Sequence, residues 1–397
     1  MPLFYVISHY FNLPFRAWEQ RKFIEIINRL SKTSNSSILP KVEYEDIIAE
    51  EGRLNKDISN KFDSRKGILF QPNNILYGKL RPYLKNWLYP DFKGVAVGDF
   101  WVFEAIEATP RFIYNLIQTD SYQKVANDTA GTKMPRSDWT KVSNSSFFIP
   151  KESSEQKRIG SFFKQLDNTI ALHQHKLDTL KQMKKGFSQQ IFPENDRKKP
   201  KIRFNSFCEE WEQRKIGEYG YFYYGKSAPK WSVTQDATTP CVRYGELYTK
   251  FGPEIDIVHS YTNIDKSNLK FSSGNEVLVP RVGENPLDFA NCSWLSLSNV
   301  AIGEMISVYN TEQYPLFIAY YFRSKMKYEF AKRVEGGNVS NLYYSYLEDI
   351  LISVPSIDEQ KKIAEFLNKI DITINLLQNK LDRIKELKKA YLQNMFI

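Results

Sequence analysis

The run Glu155-Gln156-Lys157-Arg158-Ile159 recurs as Glu359-Gln360-Lys361-Lys362-Ile363, at an offset of 204 residues. The match continues through Leu166-Asp167 against Ile370-Asp371 and Lys176-Leu177-Asp178 against Lys380-Leu381-Asp382, and ends at Phe192 against Phe396. Each copy follows an apolar, strand-like run closed by proline: Phe147-Phe148-Ile149-Pro150 and Ile350-Leu351-Ile352-Ser353-Val354-Pro355. Within each copy the apolar residues advance by alternating steps of four and three. The first seam is Ile159, Phe163, Leu166, Ile170, His173, Leu177, Leu180, Lys184, Phe187 and Ile191. The second is Ile363, Leu367, Ile370, Ile374, Leu377, Leu381, Ile384, Lys388, Tyr391 and Met395. A sustained period of 3.5 is the signature of a coiled coil. A helix over 155–191 measures about 55 Å at about 1.5 Å per residue, and two such helices paired with each other make a rod that can hold two objects apart.

Lys184 and Lys388 occupy the same place in the two seams. They either snorkel at a fraying end or act as a register or partner device. A second repeat opens each globular segment: Trp18-Glu19-Gln20-Arg21-Lys22 recurs as Trp211-Glu212-Gln213-Arg214-Lys215, and Phe11-Asn12 matches Phe204-Asn205. The chain therefore reads as domain, helix, domain, helix. The expected segments are a domain over 1–150, a helical spacer over 151–192, a charged linker over 193–203, a second domain over 204–355 and a second spacer over 356–397. The expected fold class is α+β: two mixed, β-rich domains joined by two long antiparallel coiled-coil helices, with a pseudo-two-fold repeat.

Composition agrees with β-rich domains. Aromatic residues make up 15% of the 397 positions, with 27 Phe and 24 Tyr, and aromatics favour strands. Strands are expected at 67–70, 75–77, 95–97, 276–279 and 305–308, and helical spacing runs over 111–125 and 316–334. The formal net charge is +9. It concentrates in 155–203, with 12 basic and 5 acidic side chains, and in 359–397, with 8 and 5. Such runs are either solvated helix faces or a positive track beside a phosphate backbone.

Several classes of function lack their residues. Cys208, Cys241 and Cys292 match no zinc or disulfide spacing. His173 and His175 stand two apart on a helix and point to different faces, so no metal site is expected. Gly220-Tyr221-Phe222-Tyr223-Tyr224-Gly225-Lys226-Ser227 fits the phosphate-loop pattern. Its loop is filled with bulky aromatics, however, and Pro229 follows at once, so an aromatic strand and turn is the better reading. No cofactor-binding glycine loop, no Asn/Asp-Pro-Pro-aromatic run and no acid–base constellation is found, and the chain is expected to be non-catalytic. No apolar run is long enough to span a bilayer, and Met1 to Pro14 has neither the basic start nor the cleavage site of a signal peptide. A reducing, cytoplasmic setting is expected.

Two loops in each half carry the binding chemistry. Leu76-Tyr77-Gly78-Lys79-Leu80-Arg81-Pro82-Tyr83-Leu84-Lys85-Asn86 leaves a strand and presents three cations with two tyrosines, and Ala130-Gly131-Thr132-Lys133-Met134-Pro135-Arg136 follows it. The counterparts are Val279-Pro280-Arg281-Val282-Gly283-Glu284-Asn285-Pro286 and Gly336-Gly337-Asn338-Val339-Ser340-Asn341. Arg and Lys suit phosphates and guanine edges, and Tyr adds stacking or a hydroxyl contact. Tyr77, Lys79, Arg81, Lys85, Thr132, Lys133 and Arg136 are the expected DNA-contacting residues of the first domain, with Arg281, Asn285, Asn338 and Asn341 in the second.

Taken together, these motifs resemble the specificity subunit of type I restriction–modification systems. The Pro…Glu-Gln-Lys-x-Ile helix start, the Gly-Lys-Leu-Arg-Pro-Tyr loop, the Ala-Gly-Thr loop and the Trp-Glu-Gln-Arg-Lys opening carry the resemblance, which covers the chain from about residue 11 onward. In the second domain Arg281-Val282-Gly283-Glu284 replaces the commoner Gly-Lys-Leu-Arg. The resemblance implies two target-recognition domains, each reading half of a split site in double-stranded DNA. It also implies two methyltransferase (modification) subunits docked on the helices, restriction/translocase subunits added for cleavage, and no membrane partner. Cofactors are then expected on the partners and none on this chain: S-adenosylmethionine in the modification subunit, ATP and Mg in the restriction subunit. The competing readings are a nuclease or fused methyltransferase, against which the missing motifs stand, and a coiled-coil adaptor, against which the duplicated basic loops stand. A heptad added to the 155–191 helix is expected to lengthen the gap between the half-sites.

Overall fold

The computed structural model describes residues 18–61, 64–129, 133–194 and 197–396. Phe11, Asn12 and Ala130 to Thr132 lie outside these, and with them the expected contact from Thr132. The described chain divides into two compact units, one running to His175 and resuming at Asn379, the other spanning Lys176–Gln378. Each unit thus takes one globular segment and part of both long helices.

In the first unit, strand Trp18–Lys22 pairs antiparallel with Ser146–Pro150, so the opening motif lies on the apolar run that precedes the helix. A four-stranded sheet follows the order Ile27–Leu30, Phe100–Ala105, Ile75–Gly78, Trp87–Leu88. A second places Thr33–Ser34, Gly67–Phe70, Gly94–Ala96 and Lys41–Val42 side by side. The second unit repeats this plan. Glu212–Lys215 pairs with Leu351–Val354. The order Gly220–Tyr224, Ile306–Thr311, Glu276–Pro280, Ser293–Leu295 reproduces the first sheet, extended by Glu254–Ile255. The β-branched and aromatic runs read from the sequence fall on these strands. The helical stretch expected over 111–125 is two helices, Pro110–Leu116 and Asp120–Ala126, because the Thr119 hydroxyl accepts from Tyr122 N–H and starts a new helix. That expected over 316–334 likewise breaks at Met326, between Pro315–Lys325 and Lys327–Ala331.

The long helices span Ser153–Gln190 and Ile357–Met395, and every seam residue is buried or half-buried. In the first unit the helices run antiparallel, with Phe162 edge-on to Tyr391 at 5.1 Å and Phe163 near Phe396 at 6.2 Å. In the second, Phe187 meets Phe366 edge-on at 5.1 Å. The helix ends belong to the domain cores: Ile159, Phe163, Leu392 and Phe396 share one cluster with Phe23, Phe103, Phe112 and Phe147. Ile363 and Leu367 do so with Trp211 and Phe317.

The repeated glutamine explains the repeated motif. Gln156 is 3% exposed; its Oε1 accepts from Thr109 N–H at 2.8 Å and its amide donates to Pro150 O at 2.9 Å. Gln360 is fully buried and accepts from Tyr314 N–H at 2.9 Å while donating to Pro355 O at 2.8 Å. Thr109 and Tyr314 each precede the proline that opens a domain helix. One side chain thus satisfies a helix-start amide and the carbonyl of the proline that closes the apolar run, groups that burial would otherwise leave unpaired.

The seam lysines are equally specific. Lys388 is 8% exposed, and its Nζ lies 2.8 Å from Asp167 Oδ1 and donates to Gln118 Oε1 at 3.1 Å. In the other unit Lys184 pairs with Asp371 and lies over the Tyr320 ring, whose hydroxyl also donates to Asp371. Since Asp167 and Asp371 are repeat equivalents, each helix offers a lysine to its partner's aspartate. Of the two readings open from sequence, the register device matches this geometry and free snorkelling does not.

Candidate nucleic-acid interface

Strand Ile75–Gly78 delivers the first basic loop to the surface. There it is zipped to the loop that begins at Lys133. Arg81 N–H donates to Pro135 O at 2.7 Å, Ser137 N–H donates to Lys79 O at 2.9 Å, and Leu80 bridges Arg136. The two loops singled out in sequence therefore form one structure. Lys79 Nζ and Arg136 Nη2 converge on Asp99, at 3.5 and 3.0 Å. Burial raises the pKa of Asp99, but Arg136 and Lys79 outweigh it and hold the carboxyl below its ordinary value. Tyr44 ties the arrangement together, its hydroxyl donating to Asp99 O and accepting from Leu80 N–H.

Arg81 and Lys85 flank a single helical turn, Pro82–Leu84, and both adopt left-handed backbone, at φ 47° and 54°. That costs about 1 kcal/mol each for a residue with a Cβ. Hydrogen bonds hold them there: Arg81 to Pro135 as above, and Lys85 O accepting from Glu50 N–H at 3.0 Å. Strain kept in place by surrounding structure is typical of binding loops. The turn pushes Arg81, Tyr83 and Leu84 into solvent. Among the described residues, Arg81 and Lys133 form no ion pair, whereas Lys85 pairs with Glu50 at 2.9 Å. Tyr77 needs correction: it is 0% exposed, lies 6.0 Å from Trp101 and edge-on to Tyr122, and belongs to the core. Its strand is central in the sheet and buried at all four positions, so Tyr77 offers DNA no surface.

The second unit builds the same assembly from different residues. Val282–Gly283 pairs with Ser340–Asn341, which pairs with Glu335–Gly336, making a three-stranded tongue. Gly336 sits at φ +113°, and a Cβ there would lie 2.6 Å from Val339 O, so the turn requires glycine. Asn338 is exposed in that turn and Asn341 half-buried at its base. The Asn285 side chain accepts from Leu287 N–H at 3.2 Å and donates to Asp288 at 3.0 Å, capping a short helical turn. Its expected DNA contact therefore competes with a structural task. The Arg281 guanidinium lies over Tyr224 and Tyr343, at 4.4 and 5.4 Å from the ring centroids. The phosphate-loop pattern at 220–227 is strand Gly220–Tyr224 leading to Gly225, whose N–H donates to Ile306 O, with no helix following in register.

The family of type I restriction modification DNA specificity domains matches residues 17–182 and 208–386. The chain belongs to that family. The specificity-domain repeat thus takes in both opening motifs and most of both long helices. Among similar proteins, the type I restriction enzyme MjaX specificity subunit of Methanocaldococcus jannaschii is 26% identical over 246 residues, 59% of this chain and 55% of that one. The MjaVIII specificity subunit of the same organism is 25% identical over 304 residues, 70% of this chain and 66% of that one. The chain thus spans between about half and two thirds of these curated relatives. The type I restriction-modification S subunit from M. genitalium has a similar fold, with TM-score 0.63 at 11% identity over 97% of both chains.

Sequence reasoning missed several residues of this specificity-domain surface. Asp99 and Tyr44 lie far along the chain from the basic loop, and only Gly98 before Asp99 marked a turn. Tyr224 stood inside the discarded phosphate-loop pattern, and Tyr343 in an aromatic run with no periodicity. Among the described residues, no group of three His, Cys, Asp or Glu side chains is placed to hold a metal ion, and no helix is long and apolar enough to cross a membrane.

Proposed function

We propose that this chain is the DNA sequence-recognition subunit of a type I restriction–modification complex. Each domain reads one half of a bipartite site in double-stranded DNA through its paired loops. The two long helices set the spacing and dock two modification subunits, and restriction subunits join for cleavage. The chain itself catalyses nothing and works in the cytoplasm. S-adenosylmethionine belongs to the modification subunit, ATP and Mg to the restriction subunit. One observation carries the reading: the same two loops, zipped together at the end of the same central strand, recur in both halves with cationic and amide side chains. Loops of that kind position against phosphates and read base edges.

Binding to a duplex carrying the site, by the complex with modification subunits, is expected to weaken steeply with salt, as counterion release requires. Replacing both Lys79 and Arg81 by alanine is expected to lower the slope of log affinity against log salt by about 2 if both meet phosphates. Discrimination in the first half-site falls where Arg81 meets a base, and the second half-site stays unaffected. Unchanged affinity and unchanged first-half specificity in that variant would contradict the assignment.

A further inference from the structure

The side chain of Arg281 is held unlike those of the other cations of the two loop assemblies, although its backbone is fixed as that of Lys79 is. Its main chain is fixed on both sides, N–H donating to Met305 O at 3.1 Å and O accepting from Leu342 N–H at 2.8 Å. Its guanidinium lies against Tyr224 and Tyr343. The Tyr224 ring is itself anchored to the core: it packs on Tyr344 at 4.6 Å, Tyr344 stacks on Phe222 at 5.6 Å, and Phe222 stacks on the buried Tyr309 at 4.6 Å. No carboxylate among the described residues pairs with Arg281, whereas Lys79, its counterpart in the first unit's loops, lies 3.5 Å from Asp99. The buried Arg281 Nε has no hydrogen-bond partner.

A guanidinium that is desolvated at Nε, unneutralised and clamped by aromatic rings is costly for folding and favourable for recognition. The clamp removes the rotamer freedom that a flexible arginine loses on binding and fixes the plane of its fork. That fork matches the O6 and N7 acceptors of guanine in the major groove, the commonest specific contact of arginine. A phosphate also accepts the fork bidentately, but such a contact carries no base preference, so discrimination at a single base pair separates the two. Arg281 also stands at the root of the tongue, since Val282, its neighbour, pairs with Asn341. We propose that Arg281, clamped by Tyr224 and Tyr343, reads one guanine in the half-site of the second domain. The assignment rests on the DNA-recognition function proposed above.

The test uses the complete complex with its modification subunits and a duplex library in which each position of both half-sites is varied in turn. The unaltered complex is expected to reject substitutions at one G·C pair of the second half-site by about tenfold to a hundredfold. Arg281→Lys and Arg281→Gln are both expected to flatten preference at that pair alone. Tyr224→Leu is expected to weaken preference at the same pair, with the first half-site still read in all three. Full discrimination retained by Arg281→Lys, or a uniform loss across all positions, would overturn the guanine assignment in favour of a phosphate contact. Loss of reading in both half-sites by both Arg281 variants would make the residue scaffold and overturn it too. An unaltered complex that rejects no substitution anywhere would instead remove the DNA-recognition reading on which the proposal stands.

Discussion

A seven-residue insertion in the first long helix alone, between Asp167 and Lys184, is expected to abolish site-specific methylation by the assembled complex. Matched insertions in both helices are expected to restore it with a longer gap between the half-sites. Asp167 and Lys184 stand 17 positions apart on one helix, and Asp371 and Lys388 stand 17 apart on the other. Lys388 meets Asp167, and Lys184 meets Asp371. Seven residues preserve the heptad face but lengthen one helix by about 10 Å, far beyond the reach of an ion pair. The sequence alone suggested that one helix could be lengthened by itself; the reciprocal pairs require both. The matched variant is expected to widen the undefined gap by up to about three base pairs at about 3.4 Å each, with the half-sites unchanged. The modified motif, read by sequencing, checks both outcomes. A single insertion that shifts spacing as cleanly as the matched pair would show that the lysine–aspartate pairs set no register.

Asp167→Ala is expected to destabilise the first unit by about 3 kcal/mol, and Lys388→Met by less than about 1 kcal/mol. The asymmetry follows from which charge is stranded. Asp167 accepts from Arg111 Nη2 at 2.7 Å and faces Lys388 Nζ at 2.8 Å. Removing it leaves two cations near each other, one almost fully buried, with the neutral Gln118 amide as the acceptor for Lys388. Replacing Lys388 by a methionine of similar length keeps the packing and leaves Asp167 its arginine. Breaking a buried pair from the side that strands charge costs several kcal/mol, whereas Lys388→Met strands none, since the partly exposed Asp167 keeps Arg111; that exposure also places the loss on removing Asp167 at the low end. Urea midpoints of the two variants measure this directly, and equal shifts would contradict the account.

These two expectations show where the sequence was informative. The long helices could be read because a heptad is a local, periodic signal repeated many times, and each residue of both seams is shielded in the structure. The significance of Lys184 and Lys388 could not, because their partners lie on the other helix at separations no local pattern records. That each half carries two such loops in the same order could be read from the sequence; that the two zip together could not. The identity of the side chains facing outward could not. Tyr77 opened a basic loop in sequence yet lies in a strand buried at all four positions, and Asn285 is occupied as a cap. Asp99, which holds Lys79 and Arg136, is brought there by tertiary folding. Helix breaks at Thr119 and Met326 were hidden by helical spacing that continued across them, since apolar periodicity reports which face is buried and not whether the backbone is continuous.

The central claim, recognition of a split DNA site, is tested most directly by base-modification sequencing of host DNA with this gene intact and deleted, in a host that expresses the modification subunit. The account predicts that deletion removes methylation at one bipartite motif, two short defined halves around an undefined gap, and leaves other modified motifs in place. Identical methylation with and without the gene would contradict it.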